Sequence, residues 1–146
     1  MTHSMYPCLW FDGQAKAAAE YYCSIFKSSK ITAENPIVVN FELLGNKFMA
    51  LNGGPKYKFT PATSFVIECQ TQEEIDYYWE KLTADGGKEV QCGWLADKYG
   101  LSWQVVPSMF FNEWAKDPAG LQRVMHELMQ MVKLDLPTLQ KAYDRK

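Results

Sequence analysis

Histidine is scarce in this 146-residue chain, which contains only His3 and His126. A metal centre made of two histidines and one carboxylate would need both of them, from distant places in the sequence. The cysteines form no Cys-x-x-Cys pair of the kind that holds zinc or forms a redox motif, and free buried thiols are therefore expected for Cys8, Cys23, Cys69 and Cys92.

Long apolar runs and an excess of basic charge are also missing. The chain has 15 basic and 17 acidic residues, so its formal charge is -2. Its basic residues form no stripe in the sequence that could follow a phosphate backbone. The apolar runs are only a few residues long, and the start Met1-Thr2-His3-Ser4 lacks the features of a secretory signal. We therefore expect a cytoplasmic protein with no nucleic-acid and no membrane partner.

What the chain does contain is an apparent internal repeat. Tyr21-Tyr22 recurs as Tyr77-Tyr78, and Gly45 at the start of an apolar strand recurs as Gly100, each about 55 residues later. Two landmarks with nearly the same offset favour a duplicated module, although tyrosines, glycines and apolar strands are common.

The first module has the order βαβββ. Alternating and helical patterns predict strands near residues 5–11, 30–33, 37–44 and 47–51, with a helix over 14–26. The turn-rich segment Asn52-Gly53-Gly54-Pro55 then ends the module. This segment is either a plain linker turn or part of a pocket mouth.

The second module repeats this order. A strand near 63–69 precedes a helix whose start is marked by a capping box, Thr71 with Glu74. Short strands follow near 89–92 and 94–96, and a longer one near 101–106. Pro107 closes this last strand.

Beyond Pro107 the pattern becomes helical. Asp117-Pro118 predicts a helix to about residue 131, and Asp135 caps another to 143. An apolar band on the first of these helices must cover something, and packing against the sheet or a second subunit is favoured over a role in cofactor binding; the band comprises Leu121, Val124, Met125, Leu128, Met129 and Val132. We expect a single domain, 1–146, with modules 5–54 and 62–107 and a helical tail, 108–146, and we expect a homodimer.

The predicted fold class is α+β, with two βαβββ modules forming a curved mixed sheet around an apolar pocket. On the last strand, alternation places Ser102, Gln104 and Val106 on one face, which is the better candidate for a pocket wall. Candidate pocket residues on the other strands include Trp10, Glu42 and Trp94. The alternative to a pocket role for Glu42 is that its side chain points to solvent.

Four segments resemble the signature blocks of the PhnB-like family: CLWFDGQAKAAAEYY, FMALNGGP, YKFTPATSF and GWLADKYGLSWQVVP. Members carry the label 3-demethylubiquinone-9 3-methyltransferase and belong to the vicinal oxygen chelate superfamily, with glyoxalase I, bleomycin-resistance proteins and extradiol dioxygenases. The resemblance implies the glyoxalase/bleomycin resistance/dihydroxybiphenyl dioxygenase fold.

Metal-using relatives hold a divalent cation with four ligands, mostly His and Glu. The resemblance places the matching positions near Pro7 or Cys8, Met49 or Ala50, Thr63 or Ser64, and Gln104. None of these offers a carboxylate or an imidazole, and the neutral amide of Gln104 stands where a glutamate ligand is expected. We therefore predict no metal and no cofactor, and Met49 and Ser64 join the pocket candidates.

The predicted function is metal-free binding of a small, partly apolar molecule in a pocket between the modules. The alternative is an enzyme, either the methyltransferase of the family label or a metal-dependent lyase, isomerase or dioxygenase. No catalytic residue is assigned, and no Gly-rich loop for S-adenosylmethionine is visible. A third possibility is sequestration by a dimer, as in the bleomycin-resistance branch. The ligand, and whether the pocket lies within one chain or is shared across a dimer, stay open.

Overall fold

The computed structural model describes residues 3–145 of the chain. The chain divides into two compact units, one ending at Phe59 and the other beginning at Thr60. No helix within the described residues is both long and apolar enough to cross a membrane.

The first unit confirms the predicted βαβββ order. Its elements are β1 (Cys8–Phe11), α1 (Ala15–Ile25), β2 (Lys30–Glu34), β3 (Val38–Leu43) and β4 (Asn46–Asn52). The sheet order is β1-β4-β3-β2, in which β1 and β4 are parallel and the other pairs antiparallel. The first strand is shorter than predicted because it begins at Cys8, just after Pro7, which has no N–H to donate to a sheet.

Helix α1 packs on one face of this sheet. Its buried residues have the spacing of an amphipathic helix and are Ala15, Ala18, Ala19, Tyr22 and Ile25. Tyr22 stacks on Phe41 of β3 with ring centroids 6.3 Å apart. No side chain of the adjoining loop caps the helix; instead, Asn52 at the end of β4 accepts a hydrogen bond from the Ala15 amide at 2.8 Å.

The second unit repeats the arrangement and adds a tail. It contains β5 (Ser64–Cys69), α2 (Gln72–Thr83), β6 (Lys88–Glu89), β7 (Trp94–Ala96), β8 (Ser102–Pro107), α3 (Met109–Asn112), α4 (Pro118–Leu128) and α5 (Leu136–Asp144). The sheet order, β5-β8-β7-β6, is that of the first unit, again with a parallel pair, β5 and β8. Gly45 and Gly100, the repeated glycines, both have positive φ, at 78° and 88°.

The predicted strand near 89–92 is wrong beyond its first residue. Strand β6 ends at Glu89, and residues 91–93 form a 3-10 turn in which Cys92 has a φ of 65°. The amides of Cys92 and Gly93 donate to the carbonyls of Met131 and Val132. Carbonyl groups of the tail therefore accept hydrogen bonds from backbone N–H groups that a longer β6 would have paired within the sheet.

The tail folds onto the second unit. An apolar cluster joins the end of β8 to all parts of the tail through Val106, Trp114, Val124, Leu128, Leu134 and Leu139. Gln72 at the start of α2 fixes the segment before α5, because its Oε1 accepts from the Leu136 amide at 2.6 Å and its Nε2 donates to the Leu134 carbonyl at 3.2 Å.

Helix α4 is shorter than predicted, since it ends at Leu128. Two members of the expected apolar band are consequently exposed, Met129 at 65% and Val132 at 38%. The rest of the band is buried or half-buried. The apolar band is thus covered by its own unit over most of its length.

Candidate ligand-binding faces

Each sheet has one face covered by its helix and one that the helix leaves open. On β3, Val39, Phe41 and Leu43 are buried on the α1 side, so Asn40 and Glu42 belong to the opposite face. We call this the first open face. The corresponding surface of the β5-β8-β7-β6 sheet is the second open face.

The first open face brings three of the predicted site residues together. Met49 lies between Cys8 on β1 and Asn40 on β3 in one cross-strand row. In the next row Leu51 lies between Trp10 and Val38, and in a further row Glu42 pairs with Lys47. Trp10, Met49 and Glu42 therefore share one surface, on which an indole, a thioether and a carboxylate are all half-buried.

The turn after β4 fixes the indole of Trp10. The ring N–H donates to the Gly54 carbonyl at 2.8 Å, and the ring packs edge-on against Tyr57 with centroids 4.9 Å apart. Gly53 lies against the same ring, so closely that a Cβ at this position would be 2.4 Å from it. Of the two interpretations of the Asn52–Pro55 segment, this geometry favours a turn that shapes the open face.

Glu42 is flanked by positive charge. Its Cα partners on the neighbouring strands are Lys30 on β2 and Lys47 on β4. This end of the first open face thus carries two lysines and one glutamate, with the Lys47 ammonium 4.7 Å from the centroid of the Tyr6 ring.

The second open face brings the other three predicted residues together. Gln104 is the Cα partner of Trp94 on β7 and of Val66 on β5. Its Nε2 donates to the Ser64 hydroxyl at 3.0 Å. At one end of this face Val106 belongs to the tail's apolar cluster.

Strand β8, which carries Gln104, is held in place by a buried carboxylate that the sequence analysis did not identify. Asp97 is only 3% exposed, and its Oδ2 accepts from the Trp103 indole at 2.8 Å. Its Oδ1 accepts from the amides of Tyr99 at 2.8 Å and Leu101 at 3.1 Å. The segment Asp97-Lys98-Tyr99-Gly100, an aspartate followed by a glycine between two strands, carried the turn signal that identifies this role.

The thiols do not form a nucleophilic site. Desolvation raises the pKa of the Cys8 thiol, and burial, with the nearby charge of Glu74, raises that of Cys69 to about 12. Reactivity requires the thiolate, which these environments disfavour. All four cysteines are free as expected, but Cys69 alone is buried: Cys8 is exposed, and Cys23 and Cys92 are half-buried. Cys8 is exposed because it lies on the open side of the sheet.

The donors at the four positions implied by the resemblance do not fit a divalent cation. Cys8, Met49, Ser64 and Gln104 supply a protonated thiol, a thioether, a hydroxyl and an amide, none of which brings the negative charge that anchors such an ion. Within residues 3–145 no three His, Cys, Asp or Glu side chains are grouped so that they could hold a metal. His126 lies on α4, where its ring nitrogen is near the Gln130 amide.

A surface depression of about 290 Å³ lies on the tail and contains none of the predicted residues. It is lined by Gln122, Arg123, His126, Glu127 and Arg145. Arg123 is already engaged, since it donates to the carbonyls of Ala142 and Tyr143 at the end of α5. The depression therefore surrounds the hydrogen bonds by which Arg123 joins α4 to the end of α5.

Comparison with known proteins places these features in a family. The family model for 3-demethylubiquinone-9 3-methyltransferase matches residues 3–106. A solved structure from Bacillus cereus, named for the same enzyme and for PhnB, is 32% identical, with a TM-score of 0.64 over 71% of this chain and 99% of its own. No curated protein matches the sequence.

More distant structures share the fold. The fosfomycin resistance protein FosX from Listeria monocytogenes, solved with Mn(II) and sulfate, is 16% identical, with a TM-score of 0.55 over 73% of this chain and 90% of its own. A glyoxalase/bleomycin resistance protein from Albidiferax ferrireducens is 12% identical, with a TM-score of 0.52 over 68% of this chain and 93% of its own.

Proposed function

Because this chain belongs to the PhnB-like family that carries the name 3-demethylubiquinone-9 3-methyltransferase, within the vicinal oxygen chelate superfamily, we propose that it binds a small, partly apolar molecule on its open sheet faces. The observation that carries the proposal is the placement of all six candidate residues: Trp10, Glu42 and Met49 on the first open face, and Ser64, Trp94 and Gln104 on the second.

The chemistry of these faces supports a ligand of mixed character. Indole and thioether groups provide apolar contact, while the amide of Gln104 and the hydroxyl of Ser64 provide directed hydrogen bonds. A few polar groups in an otherwise apolar surface are typical of small-molecule sites. Binding would therefore combine an apolar body with one or two polar substituents.

Binding is proposed to proceed without a divalent cation. FosX was solved with Mn(II), but the donors here are neutral at the matching positions. Calorimetric titration with Mn²⁺ should show no binding to the wild type. Gln104→Glu adds a carboxylate and should produce weak Mn²⁺ binding if this position faces the ligand. Unchanged titrations in that variant would remove Gln104 from the site.

The binding proposal is tested by ligand-observed NMR with a set of small aromatic compounds. Trp10→Ala should weaken binding about tenfold or more, because the indole supplies a large contact area. Phe111→Ala removes an exposed ring from α3 in the tail and serves as the matched control. Equal affinities in wild type and Trp10→Ala would contradict the proposed face.

Methyl transfer, the reaction in the family name, is the second candidate because the family model covers most of the chain. This reaction needs S-adenosylmethionine as the methyl donor. Calorimetric titration with S-adenosylmethionine tests it directly. A saturable heat would favour the enzyme, and no heat would leave the binding function as the sole candidate.

We also propose that the protein is a cytoplasmic homodimer. Support for dimerisation comes from Met129 and Val132, which stay exposed beside the covered part of the tail's apolar band. Light scattering at micromolar concentration should give twice the 16.8 kDa chain mass. A monomer at that concentration would contradict the dimer.

A further inference from the structure

The side-chain oxygen of Asn40 is buried without a hydrogen-bond partner. Only two buried side-chain polar atoms of residues 3–145 are in this situation, Asn40 Oδ1 and the indole nitrogen of Trp114. Trp114 lies inside the apolar cluster of the tail, whereas Asn40 lies in the middle of β3 on the first open face. Buried polar atoms in folded proteins almost always have a partner. The position of Asn40 suggests where its partner comes from.

The residues that the strand register pairs with Asn40, and those next to it on the same face of β3, have no donor to offer. Its Cα partners are Met49 on β4 and Ala33 on β2, a thioether and a methyl group. Along β3, the residues on the same face are Val38 and Glu42, an apolar side chain and a carboxylate. Donors on this part of the sheet do exist, on Thr32 at the irregularity of β2 and on Lys30 and Lys47, but none of them bonds to the buried oxygen.

From this arrangement we infer that the ligand of the first open face donates a hydrogen bond to Asn40 from a neutral N–H or O–H group. This inference rests on the proposed function and adds the chemical class of the ligand. An apolar body would lie on Trp10, Met49 and Leu51, and rotation of the half-buried Asn40 side chain would bring its oxygen to the ligand's donor. Asn40 would then select among apolar molecules of similar shape, since an analogue without the donor leaves the amide unsatisfied.

A neutral donor fits the local charge better than a cation. The one carboxylate beside Asn40, Glu42, has Lys30 and Lys47 as its partners on the neighbouring strands. A cationic ligand would meet more positive than negative charge at this end of the face. Phenols and amides have the required donor without a charge.

The test uses pairs of compounds in which methylation removes the donor: phenol with anisole, and benzamide with N,N-dimethylbenzamide. NMR titration of the wild type should give about tenfold tighter binding of the donor member of each pair. Asn40→Leu, which has a similar shape and no acceptor, should abolish this preference by weakening only the donor member. Asn46→Leu, at the exposed start of β4, is the control and should retain the preference.

The outcomes separate this inference from the proposed function. Equal binding of both members to the wild type would overturn the role of Asn40 and leave ligand binding intact. Failure of all four compounds to bind the wild type would overturn both. The melting temperature of ligand-free Asn40→Leu should be no lower than that of the wild type, because an unsatisfied group is removed. A lower melting temperature with an intact preference would show that Asn40 is structural.

Discussion

At the scale of single residues, Asp97 connects the stability of the second unit to the geometry of its open face. Its carboxylate holds the indole of Trp103 and the amides of the turn before β8. Trp103 and Gln104 are adjacent on that strand and point to opposite faces. Fixing Trp103 on one side therefore helps to orient Gln104 on the other.

Asp97→Ala should lower the free energy of unfolding by at least about 2 kcal/mol, because it leaves several buried donors without an acceptor. Urea denaturation measures this loss. Asp12→Ala, at an exposed loop position, is the control and should change it little. In a double-mutant cycle, Trp103→Phe should show strong coupling to Asp97→Ala, and additive effects would contradict the indole–carboxylate bond.

The thiols should differ sharply in reactivity. Cys8 is exposed, whereas Cys69 is buried and has a pKa of about 12. At pH 8, iodoacetamide should label Cys8 in the folded protein and leave Cys69 intact, as peptide mass spectrometry would reveal. Denaturant should make all four cysteines reactive. Labelling of Cys69 at the rate of Cys8 in the folded state would contradict its burial.

At the scale of elements, the start of α2 shows how a local signal and a distant contact combine. Thr71 caps the helix as the sequence predicts, accepting from the Glu74 amide at 3.2 Å. One turn later, Asp76 pairs with Lys133 of the tail at 2.7 Å and accepts from Gln72 at 2.9 Å. Four adjacent residues are enough to predict the cap. They do not predict the ion pair, because Lys133 lies 57 positions after Asp76 in the sequence.

The Asp76 pair predicts a pH dependence of stability. The hydrogen bond from Lys133, and then that from Gln72, lowers the pKa of Asp76. The folded state therefore favours the carboxylate. This contribution is present above the unfolded pKa of about 3.9 and is lost as pH falls through the lower folded value. Asp76→Asn should flatten the acid limb of the stability curve.

The effect of Asp76→Asn should stay below about 1 kcal/mol, since both side chains are nearly half exposed. Denaturation between pH 2 and 6 measures it. Lys133→Met should give the same flattening, and the double variant should add nothing further. A full acid limb in both variants would contradict the pairing.

At the scale of the whole molecule, the tail lies beyond the segment that the family model matches. The family model matches as far as residue 106, and the Bacillus cereus structure is covered almost completely by 71% of this chain. Yet the tail shares an apolar cluster with Val106 and hydrogen bonds with residues 92 and 93. We therefore expect the second unit to depend on the tail.

Truncation after Pro107 should give an aggregating or strongly destabilised protein, because it uncovers the Val106 end of the sheet. Leu134→Ala is a milder test, since this side chain is fully buried and lies against Gly93. It should lower the free energy of unfolding by about 3 kcal/mol. Met129→Ala is the exposed control. Wild-type melting temperatures for the truncated chain and for Leu134→Ala would contradict a structural tail.

The sequence by itself determined the features that depend on local periodicity. Alternation along β8 assigned Gln104 to a candidate pocket wall, and helical spacing places the apolar residues of α1 on one stripe. The repeated glycines marked matching turns before β4 and β8. These signals are readable because each arises from neighbours within a few residues.

Only the tertiary structure decided which distant groups meet. Asn52 caps α1, Gln72 forms hydrogen bonds with the tail, and Gly53 packs closely against Trp10. Each of these contacts joins residues far apart in sequence. The unsatisfied oxygen of Asn40 also became visible only when the strand register placed Met49 and Ala33 beside it. Hydrogen-bond satisfaction depends on the partners that folding brings within reach, which a linear pattern of residue types does not contain.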